Sequence, residues 1–219
     1  MTTTNTTEPT TDATLADDDP RRLFAIATAA TRGVVEQVRP DQLEAPTPCT
    51  DFDVRELLGH LLFVLDRVDV MGQGRDPMTT PEITPPADDA WVPAFAEAAH
   101  RVQDTWSRPG VLEIPVALPW AQGTAGEMLL GYLNELTVHT WDLAAATGVP
   151  VDWDDDVIAA AQGAISSMLP PEGRLAMFEA MQADAPPEAR FSPPFAERVE
   201  VDADAAPIER LVAYNGRRP

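Results

Sequence analysis

One cysteine, Cys49, and three histidines, His60, His100 and His139, are all the thiol and imidazole that this 219-residue chain contains. A lone cysteine excludes an internal disulfide framework and every cysteine-rich zinc motif, and any histidine-built site has few residues to draw on. Positive charge is scarce as well: 15 basic residues stand against 36 acidic ones, for a formal net charge of −21. Such a charge repels nucleic acid and anionic membrane surfaces, so neither is expected as a partner. No apolar run approaches the roughly 20 residues that span a bilayer, and the N-terminus carries no basic, hydrophobic leader, so a soluble cytoplasmic protein is expected.

What is present is organised around residues 124–148, which read as one helix with both ends written into it. Thr124 and Glu127 have capping-box spacing, while Gly148 offers a left-handed stop that Pro150 reinforces. At helical spacing Glu135, His139 and Asp142 fall within roughly one sixth of the circumference. Leu129, Tyr132, Leu136 and Leu143 flank this stripe on one side, and Gly131, Val138 and Ala145 on the other. Carboxylates and an imidazole aimed at an apolar side cost several kcal/mol if left unpaired, so they demand a proton, a counter-charge or a metal ion. A Glu and a His four residues apart also form plain hydrogen-bonded pairs, so a metal reading needs a third ligand from elsewhere.

Residues 1–18, rich in Thr, Asp and Pro, read as a disordered tail. A first helix is expected after Asp19, with Pro20 in its first turn, running to about Val38. Asp53 and Glu56 form a second capping box, with Phe52 and Leu57 as a hydrophobic staple, and open a helix to about Met71 that Gly72 and Gly74 end. On it His60 lies between Leu57, Leu61 and Val64 and faces inward. Residues 72–89 form a long, acidic, proline-rich loop, a gate for a pocket or a passive linker. A third helix covers about Ala90 to Ser107, where His100 beside Arg101 reads as solvated. The segment 111–119, broken by Pro115 and Pro119, makes at most a short edge hairpin. After the organising helix come a fifth helix from Asp152 to about Met168 and a shorter one from Glu172 to Ala183. The proline-rich remainder shows too little strand pattern for a sheet.

Helices with one apolar face each bury those faces against one another, which makes the expected fold all-α and mainly a four-helix bundle. The second and fourth helices then supply His60, Glu135 and His139. Two imidazoles and a carboxylate are a ligand class for a divalent first-row metal, and zinc, iron, nickel and manganese all accept it.

Two segments carry a family resemblance: TPCTDFDVRELLGH, ending at His60, and NELTVHTWDLAAATG, from Asn134 to Gly148. They resemble the two signatures of the mycothiol-dependent maleylpyruvate isomerase-like family, an actinobacterial branch of the DinB-like superfamily, and the close at Leu211 to Pro219 is similar to the Gly-Arg-x-Pro ending of its shorter members. The resemblance implies a DinB-like bundle over 19–148 that binds a divalent metal through His60, Glu135 and His139, followed by a helical and irregular C-terminal extension over 149–219. It implies mycothiol as a cofactor, and isomerase or transferase chemistry in which a metal-held thiolate attacks a small electrophile. The chain reads as too short and too proline-rich after Gly148 to reproduce the full C-terminal domain of the founding isomerase. Arg217 matches an anion-binding arginine of that region or is simply a solvated charge. Asp142 orients His60 or His139, or pairs with an arginine such as Arg67; Tyr132 lines the pocket or fills core; Cys49 is not assigned as a nucleophile, and no catalytic residue is assigned. A metal-dependent hydrolase using water and a non-catalytic small-molecule binder are the alternatives. The partners expected are a small thiol, a small electrophilic substrate and, in a homodimer, a second copy of the chain.

Overall fold

The computed structural model describes residues 15–119, 121–183, 186, 190 and 195–219, so most of the expected tail lies outside the described residues. The helices are α1 (Pro20–Val35), α2 (Val54–Gly72), α3 (Trp91–Trp106), α4 (Ala125–Thr147), α5 (Asp155–Met168), α6 (Arg174–Met181) and α7 (Pro207–Tyr214). Between α3 and α4, β1 (Pro115–Leu118) pairs antiparallel with β2 (Ala121–Thr124), in the register Pro115 to Thr124. The protein is mainly helical, and α1 to α4 pack as a bundle.

Local chemistry sets the boundaries. The Asp53 carboxylate accepts from the Glu56 amide at 2.8 Å while Glu56 accepts from the Asp53 amide at 2.9 Å, which satisfies two otherwise orphaned donors at the start of α2. Thr124 and Glu127 repeat the device on α4, and Gly148 ends that helix at φ 73°, a conformation that glycine adopts without steric penalty. Gly72 has a different task from the stop expected of it. It lies inside α2, where an added Cβ would sit 2.6 Å from the Trp106 indole nitrogen. The missing side chain lets α3 close onto α2, and that indole donates to the Val68 carbonyl at 3.0 Å.

Helix directions follow from the cross-links. Arg55 at the start of α2 pairs with Asp88 just before α3, and Arg101 near the end of α3 pairs with Asp66 at 2.7 Å, so α2 and α3 run parallel and residues 73–90 return along the bundle. On the other side Thr31 of α1 shares a 2.7 Å hydrogen bond with Thr140 of α4, and Gln42 reaches the Thr147 carbonyl at 2.9 Å, so α1 and α4 run side by side in one direction. The core between them is built from Leu57, Leu61, Leu65, Phe95, Leu129, Leu133, Leu136 and Leu143, all at most 1% exposed. Burial of that many large side chains, at about 1.5–3 kcal/mol each, is the main force holding the four helices together.

The C-terminal segment contributes α7, which the proline-rich sequence reading did not anticipate. Its apolar face of Ile208, Leu211 and Val212 is buried, and it packs against α5 and α4. A reciprocal pair of side-chain amides fastens it: Asn134 donates to Asn215 at 3.1 Å and Asn215 donates back at 3.0 Å, both residues almost fully buried. Buried amides so matched leave few unpaired groups and fix one register.

Candidate metal centre

His60 from α2 and Glu135 and His139 from α4 meet in the groove between the two helices, with one donor atom of each lying within 4.8 Å of the others. The arrangement follows from helix geometry. Glu135 and His139 are one turn apart on a single face of α4, and His60 faces them because Leu57, Leu61 and Val64 hold its side of α2 against the core. The His60 Nε2–H donates to Glu135 Oε1 at 3.1 Å, and the two imidazole centroids are 4.6 Å apart, edge to face. Phe52, expected only as the staple of α2, stacks on His60 at 5.0 Å between centroids and so screens the cluster from one side.

Behind this cluster is a second tier. Asp142 is fully buried and accepts from His139 Nδ1 at 3.0 Å. Arg217, close to the C-terminus, closes on the same carboxylate through Nη2 at 2.9 Å and Nε at 3.2 Å. Of the roles weighed for Asp142, it takes both: it orients His139, and it pairs with an arginine, which is Arg217 and not Arg67. Arg217 is no solvated charge, since only 14% of its side chain is exposed.

The electrostatics are consistent with ligand-ready groups. Burial holds the His139 imidazole below its ordinary value against the opposing pull of Asp142, so it is neutral at pH 7 with its proton on Nδ1. Its Nε2 lone pair therefore points away from the carboxylate that fixes the tautomer, the arrangement typical of a metal-ligating histidine. Burial works to raise the Glu135 carboxyl, but the hydrogen bond with His60 and the charges of His60, His139 and Arg67 outweigh it and leave the group below its usual value. In the same way burial of Asp142 is overcome by the bonds from His139 and Arg217. Two neutral-capable imidazoles and an ionised carboxylate, converging and half-shielded, fit a divalent cation.

A second convergence, Cys49 with His139 and Asp142, fits less well. Burial pushes the Cys49 thiol up, which keeps it protonated, and Asp142 is already committed to His139 and Arg217. Tyr132 is buried one turn before Glu135, and its phenol is pushed up to about 12, chiefly by burial and the nearby Glu135 charge. His100 is exposed and pairs with Asp104 at 3.0 Å, well away from the groove, as its sequence neighbourhood implied.

Fold and site together define a class: a helical bundle with a two-imidazole, one-carboxylate cluster in the groove between two of its helices. Residues 24–144 match the family model described as the mycothiol maleylpyruvate isomerase N-terminal domain, and the chain belongs to that family. Two uncharacterized proteins of Mycobacterium tuberculosis, one from strain CDC 1551 / Oshkosh and one from strain ATCC 25618 / H37Rv, are each 28% identical over 201 residues, covering 91% of this chain and 98% of each relative. No solved structure gives a significant match to it.

Proposed function

We propose that this protein is a divalent-metal-dependent enzyme of thiol chemistry, which holds the cation through His60, Glu135 and His139 and uses mycothiol to isomerise or conjugate a small electrophile. The observation that carries this reading is the convergence of those three donor atoms within 4.8 Å in a member of a mycothiol-related family. A bound cation would supply one piece of chemistry, stabilisation of a thiolate at neutral pH. The chain's own residues do the rest. Asp142 keeps the His139 proton on Nδ1, Arg217 keeps Asp142 ionised and fixed, and Phe52 limits the access of water to His60. Within the chain itself Cys49 is no rival nucleophile, because its buried thiol stays protonated.

The test is metal content followed by thiol dependence. The purified protein is expected to retain about one equivalent of a divalent metal by mass spectrometry, a stoichiometry that His139→Ala and Glu135→Gln should abolish. With metal bound, turnover or adduct formation on small unsaturated acids should require mycothiol. Wild-type protein that takes up no metal would end the proposal, and turnover without any thiol would replace it with a hydrolase.

A further inference from the structure

Beyond the three candidate ligands the same groove holds two hydrogen-bond donors without acceptors. The Tyr132 hydroxyl is buried in a residue only 6% exposed and has no partner, and the buried Nε of Arg67 has none either. Register explains why they share the groove. On α2, His60, Phe63 and Arg67 lie three and seven residues apart on one face, and on α4 Tyr132 precedes Glu135 by three, so antiparallel packing that sets His60 against Glu135 sets Arg67 toward Tyr132. The Arg67 guanidinium lies 4.4 Å over the Phe63 ring, which fixes its plane. It influences Tyr132 and Glu135 electrostatically but makes no ion pair among the described residues. Elsewhere this acidic chain neutralises its arginines with carboxylates, as in Arg21 with Asp19, Arg55 with Asp88, Arg101 with Asp66 and Arg217 with Asp142.

We infer that Arg67 and Tyr132 form a carboxylate-binding subsite beside the His60, Glu135 and His139 cluster, a deepening that rests on the proposed function in so far as its occupant is the molecule presented to the metal. The chemistry of the two donors selects the ligand. A planar cation and a phenolic O–H offer only donors, and both are left unsatisfied in a partly buried place, where each costs about 1–3 kcal/mol until an acceptor arrives. A carboxylate supplies two acceptor oxygens and the missing negative charge together, which a neutral carbonyl compound does not.

Binding of fumarate and of its neutral diamide, followed by ligand-observed NMR on metal-free and zinc-loaded protein, tests the subsite. Fumarate should bind and the diamide should not, and Arg67→Ala should weaken fumarate by about tenfold or more. Tyr132→Phe removes only a hydroxyl that bonds nothing, so it should fold with an unchanged or higher melting temperature while weakening fumarate about three- to tenfold. Arg67→Lys, which keeps charge without the planar fork, should fall between wild type and Arg67→Ala. Equal fumarate binding by wild type, Arg67→Ala and Tyr132→Phe would overturn the inference, as would diamide binding as tight as fumarate. Inorganic phosphate that binds as tightly as fumarate, and is lost equally in Arg67→Ala, would overturn the carboxylate assignment. Arg67-dependent fumarate binding to a protein that takes up no zinc would defeat the metal reading and leave the subsite standing.

Discussion

The pairing of Asp142 with Arg217 gives the sharpest quantitative expectation. Asp142→Asn preserves shape and still offers an oxygen to His139 Nδ1, but removes the charge that faces the guanidinium through three contacts between 2.9 and 3.3 Å. Removing one member of a buried pair costs about 3–5 kcal/mol, because the other charge is stranded. Arg217 keeps its bond to the Asn215 carbonyl at 3.1 Å and a little solvent, so the lower end of that range applies. For a chain of this size about 3 kcal/mol corresponds to a fall of roughly 6–12 °C in melting temperature. Thermal unfolding of metal-free protein, followed by circular dichroism, reads this directly, and zinc titration of the same variant should show affinity reduced by about 10–100-fold, the usual effect of losing a group that orients a ligating histidine. Combining Asp142→Asn with Arg217→Met removes the stranded charge and should restore more than about 1 kcal/mol of the loss, a coupling expected only of groups in contact. A single variant that melts within about 2 °C of wild type, or a double variant no more stable than the single, would refute the assigned role of the pair.

Two further outcomes follow from other parts of the structure. Gly72→Ala places a methyl group 2.6 Å from the Trp106 indole nitrogen and 2.7 Å from Thr105 Cγ2, so despite better helix propensity it should destabilise by about 1–3 kcal/mol in denaturant titration. Stability of the metal-free protein should fall on acidification in two stages. His139 sits below its model value of 6.5, so the unfolded chain takes up a proton first and stability is lost as pH falls from about 6.5 toward the depressed folded value. Asp142 and Glu135 are also depressed, so what they contribute is present above the ordinary carboxylate range and lost as pH falls through it toward their lower folded values. A melting temperature that is flat from pH 7 to about pH 5 would contradict the burial of a neutral His139.

The parts of the fold that were legible in the sequence are those with local causes. Capping boxes act over three residues, so Asp53 with Glu56 and Thr124 with Glu127 announce α2 and α4 unaided. The shared face of Glu135, His139 and Asp142 follows from the same periodicity. Contacts between elements are a different matter. No spacing encodes that Gly72 makes room for Trp106, that Phe52 stacks on His60, or that Tyr132 lies toward Arg67, because these depend on which helices touch and at what register. The helix α7 did have a local signal, with Pro207 in its first turn, Glu209 accepting from the Ala206 amide at 2.8 Å, and apolar residues at 208, 211 and 212. Surrounding prolines masked it.

The C-terminal segment also changes how the centre is to be understood. His60, Glu135, His139 and Asp142 all lie within the residues 24–144 that define family membership, whereas Arg217 lies 73 residues beyond them. Its carboxylate partner is fully buried, and a buried carboxylate that contacts only a neutral imidazole favours protonation, which would release its hold on the Nδ1 proton. The bundle alone therefore supplies the convergent atoms, while the charge state of the group that orients one of them depends on a segment anchored by α7 and the Asn134–Asn215 amide pair. Ligand geometry and fold closure are coupled at Asp142, so whatever loosens α7 also loosens His139.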